Sequence, residues 1–400
     1  MNAVFSPSTP CGTIAAPPSK SMAHRHLISA GLSDGTSTVS GIVPSEDVAA
    51  TIDCLSALGA KIDLSGQTAT VRGADPSRAK SAALPCRESG STLRFFLPLC
   101  LLSGTEKTLT VSETLLSRPL SVYEELAREK GFSLTKGGNA VRVKGKLTPG
   151  EYVLPGDVSS QFVSGLLFAL PLLDGDSRIT LLPPVESRSY IDLTLSALAS
   201  FGVTAVWSDE TTLTIPGGQR FAAADVGVEG DWSNAAPFLS LGVSVTGLRD
   251  DSLQGDRRIS GFLSELDCGN AVIDLSDCPD LAPVLFAHAA LNHGGRFTGT
   301  RRLAIKESDR GGAMQEELAK CGVAVSVGEN EIDVGRGATP PREPLFGHND
   351  HRIVMACSIL AARLGGTVTG IEAVKKSYPG FFTDLRKINV KVEPENGMDF

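Results

Sequence analysis

The stretch NDHRIVMACSILAARLGGTVTG, Asn349 to Gly370, decides how the chain is read. It opens on a small polar cluster, runs through residues that are apolar nearly all round a helix, stops at the glycine turn of Gly366 and continues as Thr367-Val368-Thr369, a strand pattern. A polar residue before an apolar run offers the oxygen that caps a helix N-terminus, and glycine takes the left-handed turn that ends one. A helix with no polar face must be buried. Working outward, the same order occurs six times, opening at Ser19-Lys20-Ser21, Ser89-Gly90-Ser91, Val158-Ser159-Ser160, Asp231-Trp232-Ser233, Cys278-Pro279-Asp280 and Asn349-Asp350-His351. The turns are Gly35, Gly104, Gly175, Gly242, Gly295 and Gly366, each followed by strand residues. In most copies a second helix with a charged face, such as Glu124-Glu125-Arg128, comes next and closes on Gly59, Gly131, Gly202, Gly269 or Gly322; the last copy reaches Lys387-Ile388-Asn389 without a glycine.

Units of roughly 50 to 70 residues cannot each bury an inner helix alone, so six of them predict two clusters of three. The boundary falls near Glu229-Gly230, and the first residues, up to about Ser19, are expected to return to the second cluster as a strand. The predicted domains are therefore 20–229, and 1–19 together with 230–400.

Composition narrows the function. The 400 residues are 42% hydrophobic and carry a net charge of -8, which argues against a general nucleic-acid binder. Neither a secretory signal nor an Arg-rich transit peptide is visible at the start, and the apolar runs Phe162 to Leu173 and Leu281 to Leu291 are shorter than the ~20 residues a membrane span needs. A cytoplasmic monomer is expected. The eight cysteines form no Cys-x-x-Cys pair, and buried free thiols are the simpler reading.

Several motifs fail on their chemistry. Gly31-Leu32-Ser33-Asp34-Gly35 matches a nucleophile elbow, but there a strand must precede the serine, and here a helix does. Lys20-Ser21 follows Pro17-Pro18 instead of the glycines of a nucleotide-binding loop. His348-x-x-His351 with Cys357 lacks a well-placed third ligand, so no metal is expected. What remains is a set of basic residues at or near helix starts: Lys20, Arg25, Arg94, Lys306, Arg310 and Arg352, with Arg118 and Lys376 in loops before proline. Helix N-termini favour anions, so this set suggests a substrate carrying several phosphates or carboxylates.

The segments Pro18-Ser19-Lys20-Ser21-x3-Arg25, Ser89-Gly90-Ser91-Thr92-Leu93-Arg94, Val158-Ser159-Ser160-Gln161-Phe162, Ser187-Arg188-Ser189-Tyr190-Ile191-Asp192, Lys306-Glu307-Ser308-Asp309-Arg310 and Asn349-Asp350-His351-Arg352 stand in one order along the chain. In that order they resemble the EPSP synthase family of enolpyruvyl transferases over nearly the whole chain. The resemblance implies an α/β fold, a two-domain inside-out α/β barrel whose domains each hold three βαβαββ units with buried helices. It implies transfer of the enolpyruvyl group of phosphoenolpyruvate to the 5-hydroxyl of shikimate 3-phosphate, with phosphate released and no cofactor or metal, as a step toward chorismate and the aromatic amino acids, with glyphosate as a competitor of phosphoenolpyruvate. Carried over by motif, Lys20, Gly90, Arg118, Gln161, Arg310, Arg352 and Lys376 would hold phosphoenolpyruvate. Lys20, Ser21, Arg25, Ser159, Ser160, Gln161, Ser187, Tyr190, Asp280 and Lys306 would hold shikimate 3-phosphate. Asp280 is the candidate base toward the hydroxyl; Glu307 and Lys20 are candidates for proton traffic at carbon 3, Glu307 needing a raised pKa to act as an acid near neutrality.

The chain departs from the family pattern at Glu88, Ser91, Phe95 and Arg302. The sister transferase acting on UDP-N-acetylglucosamine usually has a reactive cysteine in the loop corresponding to Glu113–Pro119, which has none here. A catalytically silent anion-binding scaffold is the alternative from another class.

Overall fold

The computed structural model describes residues 1–79 and 83–395. The chain divides into two compact units, Pro18–Glu229, and Met1–Pro17 with Gly230–Phe400. The six polar openings all start helical segments. Five cap with a side-chain oxygen: Ser19 accepts from Met22 N, Ser89 from Thr92 N, Ser159 from Gln161 N, Asp231 from Asn234 N and Asp350 from Arg352 N. The fifth opening differs. Cys278 makes no cap, and Pro279–Leu281 form a 3-10 turn before the helix Ala282–Leu291. Asp280 therefore does not serve its own helix, and its carboxylate is turned to other partners.

In Pro18–Glu229 the inner helices Gly90–Cys100 and Ser160–Ala169 each connect two parallel strands, the inner helix Lys20–Leu32 leads into Thr36–Ser40, and in each copy an outer helix leads on to an antiparallel hairpin. The sheet around Gly90–Cys100 shows the pattern: Ala83–Arg87 runs parallel to Lys107–Val111, which pairs antiparallel with Ala140–Lys144 and that with Ser133–Lys136. Gly150–Pro155, Ser177–Leu182, Thr212–Ile215 and Val206–Trp207 repeat it. The first copy borrows its leading strand from the end of the unit, Asp225–Gly227 running parallel to Thr36–Ser40. The other unit repeats the sheet with Val272–Asp274, Gly295–Thr298, Glu331–Val334 and Val325–Val327. In its last copy the N-terminal strand Asn2–Ser6 lies between Gly366–Thr369 and Lys391–Pro394, and Thr13–Ala15 runs parallel to Ser244–Thr246. Two strands, where one was expected, thus bring the N-terminus into this unit.

The apolar content of the inner helices is what places them in the cores. All but the first two residues of Lys20–Leu32 are buried, as are nine of ten in Ala282–Leu291. Burying one Leu, Ile or Phe side chain is worth roughly 1.5–3 kcal/mol, and each unit assembles its own continuous core from such side chains. Where Ser160–Ala169 meets Gly90–Cys100, close approach needs glycine: a Cβ on Gly165 would overlap the Arg94 carbonyl oxygen and the Tyr123 hydroxyl. Where the last copy lacks the closing glycine, Asn389 takes the left-handed turn at φ +65°.

Burial also constrains two histidines of Lys20–Leu32. Burial, then Arg25, pushes His26 down to about 4, and burial with Lys20 and Arg25 holds His24 well below the usual range. Both folded values lie under the unfolded one near 6.5, so the unfolded chain takes up protons first. Stability present above pH ~6.5 is lost as pH falls through 6.5 toward 4, by about 1.4 kcal/mol per pH unit for each histidine. Urea midpoints should fall between pH 7 and pH 5.5, and a His26→Leu variant should show a shallower slope. Equal slopes would refute the assignment.

Candidate functional site

The candidate residues fall into two sets, one in each unit. In Pro18–Glu229 most lie at the N-termini of the three inner helices, with Arg118 at the end of Glu113–Ser117 and Ser187 and Tyr190 at the start of Arg188–Ser200. Lys20, in the first turn, donates from Nζ to Asp47 Oδ2 at 2.8 Å. Asp47 was not legible as a site residue, since an acid behind the cap Ser45 looks like ordinary complement to a helix dipole. Arg25 is buried and satisfied by neutral acceptors alone: Nε donates to Thr194 Oγ1 (2.8 Å), Nη1 to Ser21 O (2.7 Å) and Nη2 to Tyr190 O (2.9 Å). Burial lowers its pKa to about 10, a cost that a bound anion would relieve. The ring of Phe95, one of the departures from the family pattern, lies 5.3 Å from this guanidinium.

Beside it, Arg94 Nη1 donates to Gln161 Oε1 at 2.7 Å and Nη2 to Pro119 O at 3.2 Å. Gln161 in turn donates from Nε2 to Ser91 Oγ at 2.9 Å, so the serine that replaces a threonine keeps the hydroxyl in use. Arg94 is thus the residue that orients Gln161. A Cβ on Gly90 would stand 2.7 Å from Arg118 Nη1 and 3.1 Å from Arg94 Nη1, so this glycine makes room for two guanidiniums. Arg118 caps the short helix Glu113–Ser117 instead of lying in open loop, and its buried Nε has no hydrogen-bond partner among the described residues. Ser159 caps its helix and Ser160 starts it; Ser187 is buried at φ +55° just before Arg188–Ser200, and Tyr190 is half-buried.

The second set is a cluster of charges in the other unit. Asp280, released from capping, accepts from Arg310 Nη1 at 2.7 Å; Lys306 Nζ stands 3.5 Å away and Arg352 Nη2 4.0 Å. Burial opposes its ionisation, but Lys306, Arg310 and Arg352 outweigh burial and hold the carboxyl well below its usual range. Burial, with Arg310 and Arg302 against Asp280, lowers Lys306. Arg310 begins the helix Arg310–Lys320 and is buried among three carboxylates: Nε to Asp350 Oδ2 (2.8 Å), Nη1 to Asp280 and Nη2 to Glu307 Oε2 (2.7 Å). Asp350 is fully buried and also accepts from Arg352 N and Ser308 Oγ. Arg352, also buried, donates from Nη1 to Asn234 Oδ1 at 3.0 Å, and its Nε has no hydrogen-bond partner among the described residues. Lys376 ends a 3-10 helix, Ile371–Lys376, and donates to Asn349 O and Oδ1, both at 2.8 Å. Arg302 is buried, with Nη2 donating to Ser276 O.

The histidine motif set aside above has structural duties. His348 Nε2 pairs with Glu317 Oε1 at 2.8 Å, and Lys320 Nζ lies 2.9 Å from both Glu317 oxygens. Glu316, Glu317 and His348 lie close enough to share an ion, but Lys320 already supplies the positive charge there. Among the described residues no helix is long and apolar enough to cross a membrane.

Each unit thus holds a cluster of charged and polar side chains at or near helix starts, and comparison with known proteins places them in a family. The family model of EPSP synthase (3-phosphoshikimate 1-carboxyvinyltransferase) matches residues 6–269 and 263–385. The 3-phosphoshikimate 1-carboxyvinyltransferase of Clostridium kluyveri is 39% identical over 413 residues, covering 96% of both chains. That of Clostridioides difficile is 35% identical over 427 residues, covering 98% of both. The solved structure of EPSP synthase from Acinetobacter baumannii superposes with a TM-score of 0.78 over 98% of this chain and 99% of that one, at 23% identity, which speaks for the fold. With the repeats, the motifs and the relatives in agreement along the whole length, the chain belongs to the EPSP synthase family.

Proposed function

We propose that this chain moves the enolpyruvyl group of phosphoenolpyruvate to the 5-hydroxyl of shikimate 3-phosphate and releases phosphate. The observation that carries the reading is positive charge left without full pairing in an acidic protein: buried Arg25 held by neutral acceptors, and half-buried Arg118 and buried Arg352 each with a buried N–H unpaired among the described residues. Such groups are costly to bury without an anionic partner. In this reading Ser21, Arg25, Ser159, Ser160, Gln161, Ser187, Tyr190, Asp280 and Lys306 hold shikimate 3-phosphate. Lys20, Gly90, Arg118, Gln161, Arg310, Arg352 and Lys376 serve phosphoenolpyruvate. Asp280 accepts the hydroxyl proton as its oxygen bonds to carbon 2, and Glu307 or Lys20 delivers a proton to carbon 3. The tetrahedral adduct then loses that carbon's proton and breaks its carbon–oxygen bond to phosphate. The protein works as a cytoplasmic monomer on two dissolved anions.

Purified protein freed of metals by chelation should release phosphate from phosphoenolpyruvate only when shikimate 3-phosphate is present, and not with UDP-N-acetylglucosamine. Phosphate release with the sugar nucleotide would transfer the reading to the sister enzyme, and release with neither would leave an anion-binding scaffold. Because the methyl of Gly90→Ala must push Arg118 aside, that variant should raise KM for phosphoenolpyruvate about tenfold, equivalent to ~1.4 kcal/mol. Shikimate 3-phosphate binding should be unaffected, and glyphosate should weaken in the same direction. An unchanged KM would place Gly90 away from the anion.

A further inference from the structure

The fourth inner helix, Trp232–Ser240, opens on Asp231-Trp232-Ser233, a motif to which the chemistry above gives no part. In its first turn Asn234 is buried, and its side chain makes three hydrogen bonds to two residues, the longest from Ser377 Oγ to Oδ1 at 3.4 Å. Oδ1 accepts from Arg352 Nη1 at 3.0 Å, and Nδ2 donates to Ser377 Oγ at 3.2 Å, next to Lys376. Asp231 fixes the turn by accepting from Asn234 N at 2.8 Å. We propose that Asn234 is a positioning residue for substrate binding: it fixes the Arg352 guanidinium through a neutral carbonyl and so leaves the positive charge to the substrate. The proposal rests on the reading of Arg352 as a ligand of phosphoenolpyruvate.

The two arginines of this unit are held in opposite ways. Arg310 faces three carboxylates, Asp350, Asp280 and Glu307, all at 2.7 or 2.8 Å, and divides its charge between them and any anion it serves. Among the described residues Arg352 has one carboxylate, Asp280, at 4.0 Å, together with the Asn234 carbonyl, and its buried Nε has no hydrogen-bond partner there. An amide is suited to this place, because it orients a guanidinium as a carboxylate would without neutralising it. The amide has one orientation here: Arg352 can only donate, so the oxygen faces Arg352 and the nitrogen faces Ser377. The fourth repeat, which supplies none of the residues nominated from the motifs, thereby acts on the site through Arg352.

The test exchanges charge at constant shape. Asn234→Asp should raise KM for phosphoenolpyruvate at least about tenfold, because an ion pair now competes with the substrate for Arg352. Affinity for shikimate 3-phosphate should stay within about twofold. Asn234→Ala, which frees the guanidinium instead of neutralising it, should move KM in the same direction by a smaller factor. A KM for Asn234→Asp within twofold of wild type would reduce Asn234 to a tie between helices and overturn the proposal, whatever the change in melting temperature. Should Asn234→Asp not fold, an unchanged KM in Asn234→Ala overturns it equally. A wild type that turns over neither substrate fails the functional reading on its own. The Asn234 assignment is then decided by calorimetry with inorganic phosphate, which should bind the Asp variant several-fold more weakly. Equal binding, or no binding by the wild type, overturns it.

Discussion

Asp280→Asn is expected to lower kcat by 10²- to 10⁴-fold, the range of a positioned general base, while KM for phosphoenolpyruvate changes little. The physical basis is the position of the carboxylate. The 3-10 turn Pro279–Leu281 frees it from capping, and Lys306, Arg310 and Arg352 keep it ionised against burial. Asparagine preserves the size and one acceptor oxygen for Arg310 but cannot take a proton. Steady-state phosphate release, with calorimetric titration of shikimate 3-phosphate as a control on binding, reads both quantities. Because the folded carboxyl titrates well below its usual range, it is ionised throughout pH 5 to 8, and any acid limb of wild-type kcat in that window must persist in the variant's residual rate. A kcat within threefold of wild type would make Asp280 a structural counter-ion of Arg310.

Arg310→Met should be the most damaging single change to stability. Methionine approximates the length of the side chain but leaves Asp350, which is fully buried, with Asp280 and Glu307, without their shared cation. Removing one partner from a buried ion-pair network typically costs 3–5 kcal/mol because charge is stranded in a poorly polarisable interior. For a unit of this size that is a drop in melting temperature of roughly 10 °C, and activity should vanish with it. Arg310→Lys, which restores the charge without the fork, should recover part of the stability. A melting temperature within two degrees for Arg310→Met would show that the carboxylates neutralise by protonation or rehydration.

Much of the framework was legible because local chemistry writes it. Ser19, Ser89, Ser159, Asp231 and Asp350 were readable as caps from their place before apolar runs, and each accepts a hydrogen bond from its own helix. At Cys278-Pro279-Asp280 the same reading fails. Cys278 offers no side-chain oxygen to accept a helix N–H, the α-helix begins only at Ala282 with Pro283 lacking an N–H in its first turn, and three cations compete for the aspartate. The site residues were nominated by motif, yet several of their partners carry no local mark. Asp47 looks like a helix-dipole acid, and Asn234 like a filler in an apolar helix.

The sequence by itself determined the sixfold order of helix, glycine turn and strand, and the burial of the inner helices. Capping, left-handed turns and the absence of a polar face act within a few residues of one another. Only the tertiary structure decided how the charges are spent. Lys20 is tied to Asp47, 27 residues on, Arg310 to Asp350 across 40, and Arg352 to a neutral amide across 118. Electrostatic pairing depends on distance in space and on burial. Sequence separation sets neither until repeats from distant parts of the chain have packed into one core.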